Sequence, residues 1–247
     1  MFATTARLAF GYTSMVVHAV TRRGLLRRRD VRAALTRQIH ITGVQALPFV
    51  ASVALLFGAV VVTRALTLLG PESEQALKAV VWGGIREVGP LVTALIIIVR
   101  SSVAITAEVA LMRMRADSRD PLWHEAAHED EVVLPRVLGA AASGALLVVY
   151  FQFLAVGSAL AAMSIGLGMS FVPELEHFLD AAVWWQVPLS IGKGAAFGLG
   201  IATISTYHGL HIEPKAAEVP KAVAAACTAS LVFVLALDVV AVLLLLA

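Results

Sequence analysis

The chain has 247 residues, 59% hydrophobic and only 15% charged, with a mean hydropathy of +0.85 and a formal net charge of +2. Soluble domains are about half apolar and about a quarter charged, so this composition excludes a soluble enzyme or nucleic-acid module and requires an integral membrane protein. Spans and short loops consume almost all of the length and leave no room for a separate soluble catalytic domain, and the lone Cys227 excludes an intrachain disulfide.

Residues 1–36 alternate apolar and basic positions. Phe2, Leu8, Phe10, Met15, Val16 and Val17 precede Arg22, Arg23, Arg27, Arg28, Arg29 and Arg32. No uncharged run of spanning length occurs here, and no small-residue cleavage site follows the apolar stretch, so no cleavable signal peptide is expected. The pattern predicts an interfacial amphipathic helix on anionic lipid, with a basic topogenic tail as its plain alternative. Residues 43–63 are uncharged and meet the roughly 20 residues that one crossing needs; Pro48 is expected to kink this first span. The stretch 76–113 is too long for one straight crossing. It is read as a long second helix broken near Gly89-Pro90, because proline removes a backbone donor and tends to bend or break a helix. Segment 113–136 is the long polar stretch. Spans three to five follow at 137–163, 181–207 and 222–247, with Lys193 inside the fourth and Asp238 late in the fifth. The predicted fold is thus an all-α integral membrane protein forming one domain over 1–247, an interfacial helix followed by five transmembrane helices.

Lys and Arg collect in the amino-terminal segment, in 113–136 and in 208–221. Segments 70–75 and 164–180 carry Glu72, Glu74, Glu174, Glu176 and Asp180 without any Lys or Arg. The positive-inside bias then places the amino terminus in the cytoplasm and the carboxy terminus outside. Trp82, Trp123, Trp184 and Trp185 read as boundary anchors.

The block Ile85 to Arg113 is apolar enough for lipid yet holds Arg86, Glu87, Arg100 and Glu108. Charges at membrane depth are costly and mark either functional sites or helix-pairing networks. Arg86 and Glu87 are adjacent, so on a regular helix they point about 100° apart and need not pair with each other. Arg86 suits a phosphate headgroup. Arg100, Glu108, Lys193 and Asp238 are expected to form an intramembrane charge network, with Glu108 or Asp238 as the partner of Lys193.

The string His124-Glu125-Ala126-Ala127-His128 has the HExxH spacing that puts two histidines one turn apart beside a glutamate, as zinc proteases require. A third ligand is missing at the usual spacing, although His208 and His211 could complete a site. A membrane zinc hydrolase is therefore kept only as an alternative of another class, and no resident metal is expected. No phosphate-binding Gly-rich loop or nucleic-acid module is present, so the chain cannot hydrolyse ATP itself.

The order of parts resembles the MlaE (YrbE)-type permease family of ABC lipid transporters of the Mla and Mce systems, from about Arg37 to Leu244. The resemblance is carried by Arg86, Glu87, Gly89, Pro90, Thr93, Ala94, Leu95, Arg100, Ala104, Ala107, Glu108, Met112 and Arg113. Further matches are Arg37-Gln38 with Gly43-Val44, Leu134-Pro135-Arg136, Lys193, Tyr207, Gly209 and Leu237-Asp238. It implies a permease in a bacterial inner membrane, working as a homodimer or with a paralogue as a heterodimer. The implied partners are a cytoplasmic ABC ATPase, which binds the ATP, and an MCE-domain protein on the outer face. The implied cargo is phospholipid or another lipid in a dimer-interface cavity lined by Arg64, Leu68, Leu69, Arg86, Glu87 and Leu91. Segment 113–136 would be the coupling loop, meeting the ATPase through Arg115, Asp117, Pro121, Leu122 and Trp123.

Departures from the family pattern cluster on that coupling side. Ala116-Asp117 stand for a Glu-Gln pair, and the apolar coupling stripe becomes largely acidic. Glu218 replaces a glycine. These departures suggest an alternative, a non-driving structural permease paralogue in a heteromeric complex.

Overall fold

A computed structural model describes residues 29–69, 74–117, 126–167, 186–213 and 215–246. Among them there is no strand. The helices are α1 Arg29–Thr42, α2 Leu47–Leu69, α3 Glu74–Ile97, α4 Val103–Asp117, α5 Ala126–Leu167, α6 Gln186–Leu210 and α7 Val219–Leu246. A 3-10 turn, Val44–Ala46, links α1 to α2; a second, Ala216–Glu218, precedes α7; and a π-helical turn, Ile98–Ser102, joins α3 to α4 without a break. Five stretches are long and apolar enough to cross a membrane: Val31–Val61, Arg86–Met114, Val133–Ile165, Val187–Leu210 and Ala216–Leu243. The all-helical membrane architecture read from the sequence is what the chain adopts.

Long helix α5 is the axis of the bundle. It packs against α1, α2, α3 and α6, while α6 also meets α3, α4 and α7. The α5–α6 crossing is a close one, and its sequence explains why. Gly144 faces the Gly194 backbone, and Gly198 faces the Ala140 backbone, so a Cβ at either glycine would strike main-chain atoms. Small residues of this kind let membrane helices approach to backbone contact, where dispersion replaces the hydrophobic drive that lipid does not supply. Around this crossing lies one apolar core, with Val50, Ile97, Leu147, Phe151, Phe197 and Ile201 almost wholly buried. The outer surface is also apolar: Leu56, Val99, Phe153, Ile165, Val232 and Leu243 all point outward. Helices hydrophobic all round belong in lipid or against other membrane helices.

Buried hydroxyls add polar links inside. The Ser102 and Ser205 hydroxyls meet at 2.8 Å, and Thr106 Oγ1 donates to the Ser205 carbonyl at 3.2 Å. Ties of this kind between membrane helices contribute about 0.6 kcal/mol each, since the alternative partners are also within the membrane.

Three expectations are corrected. The second span is not broken near Gly89-Pro90: α3 passes through Pro90, and the departure from α geometry is the π turn eight residues further on. Proline removes one donor, a loss that membrane helices tolerate when their neighbours hold them in place. Here Thr93 Oγ1 donates to the Pro90 carbonyl at 2.9 Å, and Gly89 and Pro90 are buried, with the Phe151 ring over Gly89. Nor does Pro48 kink the first span. It occupies the first turn of α2, where no helical partner for its missing N–H exists, and the chain bends just before it, at the Gly43 turn. Finally, segment 113–136 is not one loop, because α4 runs to Asp117 and α5 starts at Ala126. Ala, Glu, Leu and Met favour helix at both ends.

The expected interfacial helix over 1–36 falls largely outside the described residues. Its described part belongs to α1, which continues to Thr42 and buries Val31, Gln38 and Thr42 while exposing Arg32, Arg37 and His40. Replacing Gly198 by valine should drive a side chain into the Ala140 backbone and cost about 1–3 kcal/mol. A fall in the apparent melting temperature of the detergent-solubilised chain, read by size-exclusion thermostability, checks this; an unchanged value would refute the close α5–α6 contact.

Candidate functional site

Lys193 is the centre of the site. It lies on α6, and its side chain is only 8% exposed. Its Nζ contacts Glu87 Oε2 of α3 at 2.8 Å and Asp238 Oδ1 of α7 at 2.5 Å. Glu87 in turn accepts from Arg86: Nε and Nη2 both donate to Oε1, at 2.9 and 2.6 Å. The order is therefore Arg86, Glu87, Lys193, Asp238, alternating plus and minus and summing to zero. Neighbours in sequence do pair here, an outcome that helix geometry had left open. Both side chains are long enough to fold back beside their own helix, and Coulomb attraction is strong where little water competes.

The partner of Lys193 is settled by distance along the chain. Glu108 lies 21 residues beyond Glu87 on the continuous α3–π–α4 helix, a rise of about 30 Å at 1.5 Å per residue. The expected single network is therefore two separate centres near opposite ends of the bundle. Glu108 belongs to the second one, where its carboxylate is 3.3 Å from Arg136 Nη2 of α5 and 3.7 Å from Arg37 Nη1 of α1. A small cavity of about 140 Å³ sits there beside Gln38 and Met112. Arg100 joins neither centre. It leaves the π turn on the exposed side and donates from Nη1 to the Gln45 carbonyl at 2.7 Å, at the bend between α1 and α2.

A cavity of about 320 Å³ opens beside the first centre. Arg86, Glu87 and Lys193 form its charged wall, while Leu189, Ser190 and Leu237 belong to the rest of its lining. Of the four described side chains expected to line a lipid cavity, Arg86 and Glu87 border this one. Leu91 packs against the apolar core, and Arg64 is exposed on α2. Leu68 and Leu69 fall in α2, but their side chains lie outside the description. The sequence reading missed the contribution of α6 and α7. Helical spacing could have found it, since Leu189, Ser190 and Ala196 stand at i−4, i−3 and i+3 from Lys193, and Ala241 at i+3 from Asp238.

Pro121, Leu122, Trp123, His124 and Glu125 lie outside the described residues, as do the side chains of Arg115, Asp117 and His128. Among the described residues no group of three or more His, Cys, Asp or Glu could hold a metal ion. The Tyr207 and His211 rings stack at 4.0 Å, and His211 Nδ1 is 2.9 Å from the Tyr207 carbonyl.

Five spans among the described residues, with an ion network bordering an open cavity, define a multi-pass all-α membrane protein. A family model described as Permease MlaE matches residues 35–244, most of the chain, and the protein belongs to that family. No curated protein matches it. It is a membrane permease subunit.

Lys193→Met should leave two carboxylates facing each other without their shared cation, destabilising the fold by about 3 kcal/mol, since removing one partner strands the other charge. Lys193→Arg should recover most of that loss. Thermal unfolding in detergent compares the two; equal stability of the Met and wild-type chains would show that the network is not holding the helices.

Proposed function

We propose that this chain is the permease subunit of an ABC-type lipid transporter and moves phospholipid through a cavity bordered by Arg86 and Glu87. A second permease chain completes the cavity, and a separate cytoplasmic ATPase supplies the free energy. The observation that carries this reading is the ion network at the cavity wall: ionised groups in an apolar bundle are costly and mark substrate paths by default. Family membership supports the transporter class, and the apolar outer faces of α2 and α7 support a partner chain in the membrane. Within a single chain, only 22% and 17% of an 18-residue apolar window in the first and last spans are buried, against 56% in the second.

In this reading the polar groups bind the headgroup and the apolar walls take the acyl chains. Opening and closing of the dimer interface, driven from the ATPase side, moves the lipid. The Lys and Arg bias supports an inner-membrane orientation with the amino terminus in the cytoplasm. On that orientation the Lys193 centre sits toward the outer face, near an MCE-domain partner, and the Glu108 centre toward the ATPase. Segment 113–136 carries the coupling contact, through Arg115, Asp117, Pro121, Leu122 and Trp123.

The acidic letters of that segment favour one second reading, a non-driving permease paralogue in a heteromeric complex. A native pull-down separates the two. Recovery of a second, different permease chain selects the paralogue, and recovery of ATPase and MCE partners with this chain alone selects the homodimer.

Arg86→Gln should lower lipid transfer in proteoliposomes of the assembled complex by about tenfold or more, the loss of one charge-assisted headgroup contact, without loss of copurifying partners. Full transfer by this variant would remove Arg86 from the lipid path.

A further inference from the structure

The charge balance of the Lys193 centre specifies what headgroup it accepts. We infer that the cavity beside Arg86 and Glu87 selects a zwitterionic phospholipid headgroup, a phosphate with a nearby ammonium, over an anionic one. This inference rests on the lipid-permease reading above and goes beyond it to the class of headgroup.

Three observations carry it. The first is neutrality. Two cations and two anions alternate within ion-pair distance, so the described residues of the site hold no net charge for a ligand to neutralise. An anionic headgroup would bring a net negative charge into the apolar bundle, whereas a zwitterion brings none, and an uncompensated charge in such surroundings is the costly case.

The second is which groups remain open. Lys193 and Asp238 form the inner pair, with side chains 8% and 16% exposed, and Lys193 is held between two carboxylates. Arg86 and Glu87 form the outer pair, 23% and 29% exposed, and both line the cavity. Arg86 uses Nε and Nη2 on Glu87 and keeps further N–H donors of its guanidinium for a phosphate. Glu87 Oε1 already accepts both Arg86 donors, whereas Oε2 accepts Lys193 alone and keeps a second lone pair for an ammonium. The outer pair therefore offers one donor group and one acceptor group side by side, the complement of a phosphate joined to an amine.

The third is size. At about 320 Å³ the cavity is at the small end of the roughly 300–1,000 Å³ that drug-sized ligands occupy. It takes a headgroup, not a whole two-chain lipid. The acyl chains are left to the apolar surface outside, where Leu235, Val239 and Leu243 of α7 point outward.

The test uses the full-length chain in nanodiscs of equimolar phosphatidylethanolamine and phosphatidylglycerol with identical acyl chains. A photo-crosslinking residue is placed at Leu189, which lines the cavity, or at Phe153, which is 76% exposed and samples bulk lipid. Adducts are identified by mass spectrometry, and the Leu189 yields are divided by the Phe153 yields. The expected result is phosphatidylethanolamine over phosphatidylglycerol by about tenfold, the size of effect for one charge mismatch that is partly screened by solvent. In Glu87→Gln the site gains a net positive charge, and the preference should turn toward phosphatidylglycerol. Equal normalised yields, or an excess of phosphatidylglycerol, in the otherwise wild-type chain overturn the inference whether or not Glu87→Gln folds, and leave the lipid-permease reading standing. No phospholipid adduct at Leu189, with normal labelling at Phe153, would overturn both.

Discussion

Everything else in this bundle accommodates one constraint: Glu87, Lys193 and Asp238 are ionised groups on three different helices, and each is tolerable only beside the others. Lys193 touches both carboxylates, so α3, α6 and α7 cannot slide or rotate independently without stranding a charge. Removing one member of such a network is far more damaging than the network is stabilising, because desolvation has already consumed most of the Coulomb gain. Its value is therefore in specificity. It fixes the rotation of three helices whose apolar faces alone, hydrophobic all round, would permit many.

Close packing does the complementary task. The glycines of α5 and α6 bring two backbones into contact, which makes α5 the rigid axis on which the other helices are hung. Among the described residues, irregular geometry lies in the 3-10 turns before α2 and α7 and in the π turn at Ile98–Ser102, whose Ile98, Ser101 and Ser102 are buried. Arg100 ties the π turn to the 3-10 turn before α2 through the Gln45 carbonyl. A guanidinium can donate there because the turn leaves that carbonyl accessible. The same π turn presents Ser102 inward to Ser205 and Arg100 outward, so one extra residue per turn serves two different contacts.

The two charge centres divide the molecule by chemistry. The Lys193 centre pairs two cations with two anions among the described residues, joins three helices and borders a cavity of about 320 Å³. The Glu108 centre brings Arg37 of α1 and Arg136 of α5 to one carboxylate, tying the amino-terminal helix to the bundle axis. About 30 Å of helix separates them, the thickness of a hydrocarbon core.

How much of this was legible in the sequence follows from where the information resides. Membrane class, number of spans and the unusual charge of the second span depend on local composition, and a 20-residue apolar window reports them without any tertiary knowledge. Arg86, Glu87, Lys193 and Asp238 stood out for the same reason, since charge in an apolar run is visible one residue at a time. Their pairing was not legible. Lys193 had two possible carboxylates in the sequence, and only the continuity of the helix through Pro90 put Glu108 out of reach. Pro90 itself misled because its backbone cost is local, while the packing around its continuous helix comes from Phe151 and the neighbouring helices. Leu189, Ser190 and Leu237 were silent for the opposite reason: apolar and small residues in a span are unremarkable until the fold sets them around a cavity. The sequence by itself determined that the chain crosses the membrane and which charges must be buried there; only the tertiary structure decided which charges meet and what cavity they enclose, because pairing depends on distances between helices that no single helix encodes.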